Sequence, residues 1–271
     1  MKRFTYFVLF LAISSLSSCT RYLFPSIVGN DVVYQPKPMV ADSVSSKFNV
    51  TGGLASSDGI HDEGDVTLGY LSLTQAHTFK NFNFSYGLLG YFGKASKNYI
   101  SENPKENDFV ELPPFNKSTS GLGIHTSIGY HMTSNRGNTD YRIINWENAV
   151  TREFGEYLDF RNQLYGDLTY KRLVVSRNKL LWTTGLSSEI IFHHRRDKDI
   201  KHAFKLFVGF SPNLDNSFDN KIKTANYALN DSEVSRSNFQ LTYFFSFKQF
   251  NLTSQADFSR LSANIGLGYS F

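Results

Sequence analysis

The stretch Leu261-Ser262-Ala263-Asn264-Ile265-Gly266-Leu267-Gly268-Tyr269-Ser270-Phe271 alternates apolar residues with small or polar ones without a fault. Period two places Leu261, Ala263, Ile265, Leu267, Tyr269 and Phe271 on one face of a strand, and the serines, Asn264 and the glycines on the other. Such a strand needs an apolar phase on one side and a polar environment on the other.

The same division recurs upstream. Phe82, Phe84, Tyr86, Leu88 and Phe92 interleave with Asn83, Ser85, Gly87 and Gly93. Leu122, Ile124, Ile128, Tyr130 and Met132 interleave with Gly123, His125, Ser127, Gly129 and His131. Phe204, Leu206, Val208 and Phe210 share a face, as do Phe239, Leu241, Tyr243, Phe245 and Phe247. Weaker strands are expected near 46–57, 65–76, 140–153, 179–193 and 250–258. The helical spacing of Trp146, Val150, Tyr157, Arg161 and Leu164 makes a helix over 146–164 the competing reading of that region.

Composition narrows the class. Aromatic residues make up 15% of the 271-residue chain, with 25 Phe and 15 Tyr, while the mean hydropathy is negative. No apolar run after the first residues approaches the roughly 20 residues that a membrane helix needs. A barrel suits this balance, because only alternate residues of each strand face lipid and aromatics girdle the two interfaces. The net charge of +4 falls by two if Lys2 and Arg3 are removed, and no basic stripe points to nucleic acid.

Loop lengths follow the same pattern. With the first strand rising from residue 46, the connections at one end are 58–64, 94–118, 154–178, 212–234 and 259–260. Those at the other end are 77–81, 134–139, 194–199 and 248–249. Long connections on one side and short turns on the other characterise bilayer-spanning barrels. Hydrocarbon offers no hydrogen-bond partner, so strands that cross it must close on themselves. The expected fold is therefore all-β, a closed antiparallel transmembrane β-barrel of about ten strands, with ~8–12 as the bounds. A barrel this narrow has an interior filled by side chains. The expected interior residues are Asn83, Ser85, His125, His131, Glu189, Lys205, Gln240, Gln255 and Asp257.

The amino-terminal end points to export. Lys2 and Arg3 precede an apolar run from Phe4 to Ile13 and then Ser14-Ser15-Leu16-Ser17-Ser18 before Cys19, the three parts of an export signal. Leu16-Ser17-Ser18-Cys19 resembles a bacterial lipobox. That resemblance implies cleavage after residue 18 and acylation of Cys19, the chain's single cysteine. The expected domains are a lipoprotein signal peptide at 1–18, a lipidated tether at 19–45, irregular because Pro25, Pro36 and Pro38 interrupt it, and a barrel at 46–271. The terminal Phe271 is similar to the closing residue of outer-membrane barrels, so the expected location is the cell outer membrane.

Tyr141-Arg142-Ile143-Ile144-Asn145-Trp146-Glu147, the following segment Arg152 to Arg161, and Tyr34-Gln35-Pro36-Lys37-Pro38 resemble small uncharacterised outer-membrane lipoproteins of the Bacteroidota. The resemblance implies a lipoprotein barrel and carries no activity. Surface lipoproteins of that phylum typically have acidic residues after the cysteine. Thr20-Arg21-Tyr22 departs from that pattern, which favours an anchor facing the periplasm.

Some residues invite a chemical reading. His125-Thr126-Ser127 resembles the His-x-Ser pair of lipid A 3-O-deacylases, since period two brings imidazole and hydroxyl to one face. Their phase opposes Leu122, Ile124, Ile128 and Tyr130, so the pair is expected to face the lumen. His193-His194-Arg195-Arg196-Asp197-Lys198-Asp199 reads as a solvated charged turn. Gly155 is expected to end the strand before the third long connection, with Tyr157 and Phe160 as interface anchors. No catalytic, cofactor or metal site is assigned. The favoured function is a structural or accessory subunit of an outer-membrane assembly, with outer-membrane lipid and protein partners. A loop-based binding module or narrow conduit and a lipid A-modifying enzyme are the alternatives.

Overall fold

The computed structural model describes residues 21–27, 31–38, 44–57, 64–98, 112–134, 139–165, 167, 169, 173–194, 199–214 and 237–271. Within them lie β1 (Arg21–Leu23), β2 (Ser45–Ser57), β3 (Asp65–Phe79), β4 (Phe82–Lys97), β5 (Phe115–Thr133), β6 (Thr139–Phe154), α1 (Glu156–Leu164), β7 (Leu173–Val175), β8 (Leu180–His193), β9 (Ile200–Phe210), β10 (Ser237–Phe247), β11 (Phe250–Asp257) and β12 (Ser262–Ser270).

Ten of these strands form a closed antiparallel barrel, and each expected strand is present. The barrel shuts between the terminal strand and the first, where Ile265 lies opposite Leu54 and Tyr269 opposite Val50. Closure leaves no unpaired edge, which a strand in hydrocarbon cannot tolerate. The faces divide as the alternation requires. Leu122, Ile124 and Ile128 are 66%, 58% and 51% exposed, while His125 and Ser127 between them are each 3% exposed. An outer surface of exposed Leu, Ile, Val and Phe side chains is the lipid-facing band of a transmembrane β-barrel.

β6 read weakly in the sequence because Arg142-Ile143-Ile144-Asn145 breaks period two. The strand accommodates the break with a bulge. Arg142 pairs with Glu189 and Asn145 with Ser187, leaving Ile143 and Ile144 together on the outside. The extra residue restores the phase, so Arg142 and Asn145 both point inward.

The helical alternative over 146–164 holds only in its second half. Trp146 and Val150 lie on a strand and face outward, and α1 begins after Gly155. Gly155 has φ 109° and ψ 178°, a region open essentially to glycine. Its role in ending the strand is as expected. Tyr157 and Phe160 are not lipid anchors, however. Both pack inward against Phe115 in an apolar cluster with Leu23, Ile27, Leu112, Leu164, Val175 and Leu214, which caps the long-loop end.

A larger correction concerns the expected tether. Residues 23, 25–27 and 31–38 are buried, and they run through the barrel lumen instead of hanging outside it. β1 pairs in parallel with β7, within the long connection between α1 and β8. At the other end of the segment, the carbonyl of Pro38 accepts from Arg142 Nη2 at 3.1 Å and from Thr78 Oγ1 at 3.5 Å, close to the short turns. The segment therefore enters at the long-loop end and leaves at the short-turn end, where β2 begins. The sequence hid this because the lumen is polar: a segment that fills it needs hydrogen-bonding groups and shows no apolar period.

Candidate functional site

The lumen is where the buried chemistry gathers, and the threaded segment organises it. Its contacts step down the barrel in chain order. The Ser26 hydroxyl lies 2.8 Å from Thr119 Oγ1 near the long-loop rim, and Thr183 Oγ1 donates to Asp31 at 2.6 Å. The backbone N–H of Tyr34 donates to Gln255 Oε1 at 3.1 Å, and its phenol donates to Glu189 Oε1 at 2.5 Å. The Lys37 ammonium donates to Asn83 Oδ1 at 2.6 Å, Ser127 Oγ at 2.8 Å and Asn145 Oδ1 at 3.3 Å. Residues from nearly every side of the barrel thus converge on eight consecutive positions of the segment.

Wall-to-wall ion pairs complete the filling. Arg142 meets Glu189 at 2.5 Å and Lys205 meets Glu147 at 2.6 Å, all nearly fully buried. Buried charges persist only when paired and hydrogen-bonded. Here Ser187 also donates to Glu147, and Tyr34 to Glu189. Every residue expected in the interior is buried there: Asn83, Ser85, His125, His131, Glu189, Lys205, Gln240, Gln255 and Asp257. Aromatic rings take up the remaining space. Tyr91 lies over Gly121, where an added Cβ would sit 2.3 Å from the ring.

The His125–Ser127 pair falls on the lumen face, as its phase requires. Ser127 is held by Lys37, and the carboxylate nearest in role, Glu147, is engaged by Lys205 and Ser187. A lipid substrate on the outside of the wall does not meet either residue. His193 binds Asp140 at 2.7 Å at the short-turn end, and residues 195–198 of the charged turn lie outside the described residues. Cys19 and the signal segment 1–18 also lie outside them.

A second buried ion-pair system, at the long-loop rim, has no signature in the residue pattern. Glu153 at the end of β6 binds Arg161 of α1, which also donates to the Ser176 carbonyl at 2.7 Å. Thr119 donates to the same carboxylate at 3.1 Å. α1 is pinned from its start as well: the Ser118 N–H and hydroxyl donate to Glu156 at 3.2 and 3.1 Å, which holds that carboxyl below its ordinary range. An i, i+8 Glu–Arg relation spans a strand end and a helix, so neither period two nor helical spacing exposes it.

Neither a protein-family model nor a curated protein sequence matches the chain. Among solved structures it is similar to the outer-membrane protein OprG from Pseudomonas aeruginosa, at 11% identity and a TM-score of 0.37, covering 86% of this chain and 99% of that one. It is also similar to the translocator domain of the autotransporter NalP from Neisseria meningitidis, at 9% identity and a TM-score of 0.38, covering 86% and 90%. A third is the transport unit of the autotransporter AIDA-I from Escherichia coli, at 13% identity and a TM-score of 0.34, covering 91% and 96%. The class of this protein, a transmembrane β-barrel of the outer-membrane type, rests on its own closure and lipid-facing band.

Proposed function

We propose that the protein is a lipid-anchored outer-membrane barrel that serves as a structural or accessory subunit of a larger outer-membrane assembly. The observation that carries this reading is the occupied lumen: residues 31–38 are buried and hydrogen-bonded to the wall from Asp31 to Pro38. A barrel filled by its own chain in this way is a membrane-embedded support, and its accessible surfaces are its rims. The lipobox resemblance makes Cys19 the acylation site after removal of residues 1–18. Several buried acyl methylenes, each worth about 0.8 kcal/mol, would anchor that end firmly.

The expectation of a periplasmic anchor is replaced here by the opposite one. Cys19 precedes Arg21 by two residues, a reach of at most about 7 Å in an extended chain, and Arg21 is paired at the long-loop end. In outer-membrane barrels that end is extracellular. The acyl group of this reading therefore belongs on the cell surface.

Extraction of native membranes in mild detergent, with affinity purification of the full chain, tests the role. A defined stoichiometric protein partner supports it. A protein that purifies alone from cross-linked and uncross-linked cells, and conducts ions in planar bilayers, defeats it.

A second reading has one observation in its favour. A groove of about 570 Å³ between α1 and the start of β8 is lined by Leu158, Asn162, Arg177, Lys179 and Asn213 at the long-loop rim, which suits a surface-binding module. Loss of binding of a surface ligand in an Arg177→Ala, Lys179→Ala variant that keeps its barrel would favour it. Of the two long connections that this reading assigns to binding, 94–118 and 212–234, residues 99–111 and 215–234 lie outside the described residues.

A further inference from the structure

We propose that the short-turn mouth of the barrel is an oxyanion-binding site, taking a phosphate or carboxylate group between Lys47 and Lys201, with Lys248 at its edge. A cavity of about 150 Å³ opens there, lined by these three lysines together with Lys37, Asp199 and Ser246. At roughly 30 Å³ per water, it has room for several waters or one small oxyanion.

The strand phase explains why the lysines converge. Asn49 and Thr51 of β2, Ala203 and Lys205 of β9, and Phe244 and Ser246 of β10 are buried on the lumen side. Lys47 and Lys201 stand two residues further toward the mouth on the phases of β2 and β9, so each continues an inward-facing row beyond the packed interior, while Lys248 lies in the turn after β10 at φ 54° with its ammonium 5.4 Å from the centre of the outward-facing Phe247 ring. Lys47 and Lys201 are half-buried. β10, β11 and β12 separate β9 from β2 around the barrel, yet Lys201 and Lys47 line one cavity.

Among the described residues of the lining, Lys47, Lys201 and Lys248 stand at the mouth with one carboxylate, Asp199. Around Lys201, Lys47 acts as a repelling neighbour, with Asp140 and Asp199 as attracting ones. Asp140 is itself engaged by His193 at 2.7 Å. The Lys37 ammonium is directed to three neutral oxygens deeper in the lumen, where Glu147 and Glu189 attract it, so the mouth lysines are left to the ligand. Like charges held together in a partly desolvated space are unfavourable, and an oxyanion that accepts from several ammoniums relieves that cost with charge-assisted hydrogen bonds. The recognised chemistry is a compact anionic group; a soluble phosphate and a lipid headgroup reaching over the rim share it.

Titration of the purified full chain in non-ionic detergent with sodium phosphate, against sodium chloride at matched ionic strength, reads the site by calorimetry. The expected result is a saturable phosphate signal that weakens about a hundredfold in the Lys47→Gln, Lys201→Gln variant, the loss of two charge-assisted contacts at roughly tenfold each. Lys117→Gln, at the opposite rim, is expected to titrate like the wild type. If the double variant does not assemble, the single Lys201→Gln variant carries the same comparison, with a loss of about tenfold. A non-saturable signal, or one unchanged in both lysine variants, overturns the proposal. Repeating the titration in nanodiscs assigns the source. Phosphate binding that survives phosphatidylglycerol marks a soluble oxyanion, and binding competed away by phosphatidylglycerol but not by phosphatidylcholine marks a headgroup.

Discussion

The phenol of Tyr34 donates to the Glu189 carboxylate at 2.5 Å, joining the threaded segment to the eighth strand across 155 positions of sequence. Arg142 holds the other oxygen of the same carboxylate, and the Tyr34 ring packs on Phe244 with centroids 4.8 Å apart. Tyr34→Phe keeps the ring and removes only the hydroxyl. It is expected to lower stability by about 1.5–3 kcal/mol, the cost of losing a hydrogen bond to a charged group. Guanidinium-induced unfolding of the detergent-solubilised barrel, followed by circular dichroism, measures it.

Threading has a direct covalent test. Ser26 Oγ and Thr119 Oγ1 are 2.8 Å apart, on the segment and on β5 respectively. The Ser26→Cys, Thr119→Cys variant is expected to form a disulfide under mild oxidation and to run faster than either single variant on a non-reducing denaturing gel. An outside tether predicts no cross-link.

Glu153 and Arg161 clamp α1 over the rim. Arg161→Ala leaves a buried carboxylate with only the neutral donors of Thr119 and Ser26, and removing one partner of a buried pair costs about 3–5 kcal/mol. The loss is expected to fall on the cap. Limited proteolysis should cut the connection between Gly155 and Lys179 readily in the variant and slowly in the wild type, with the ten-stranded core intact in both.

Ile124 is near the middle of β5, opposite Leu88 and Val150, and 58% exposed. Ile124→Arg puts a charge at the bilayer midplane and is expected to cost about 2–4 kcal/mol. Ile124→Leu is expected to be close to neutral, and refolding yields into lipid vesicles compare them.

The barrel was legible because lipid imposes a pattern on one face of every strand. Phe239 to Phe247 shows the consequence plainly, with five apolar side chains in one phase. The interior followed by exclusion, which is why His125 and Glu189 were placed correctly without any view of their partners. Asp31, Gln35 and Lys37 were not legible. Their partners Thr183, Ser85 and Ser127 lie far away in sequence, and a polar chain packed in a polar lumen has the composition of a solvated linker. The bulge at Ile143–Ile144 stayed hidden for a related reason, since one inserted residue looks like a loss of period.

The central claim is that the outward face of the strands meets acyl chains, and the two tryptophans report on it. Trp146 and Trp182 are 54% and 41% exposed on that face. In vesicles of lipids brominated along the acyl chain, their fluorescence is expected to be strongly quenched, with little quenching by aqueous iodide. Efficient quenching by iodide, with none by brominated chains, would contradict the account.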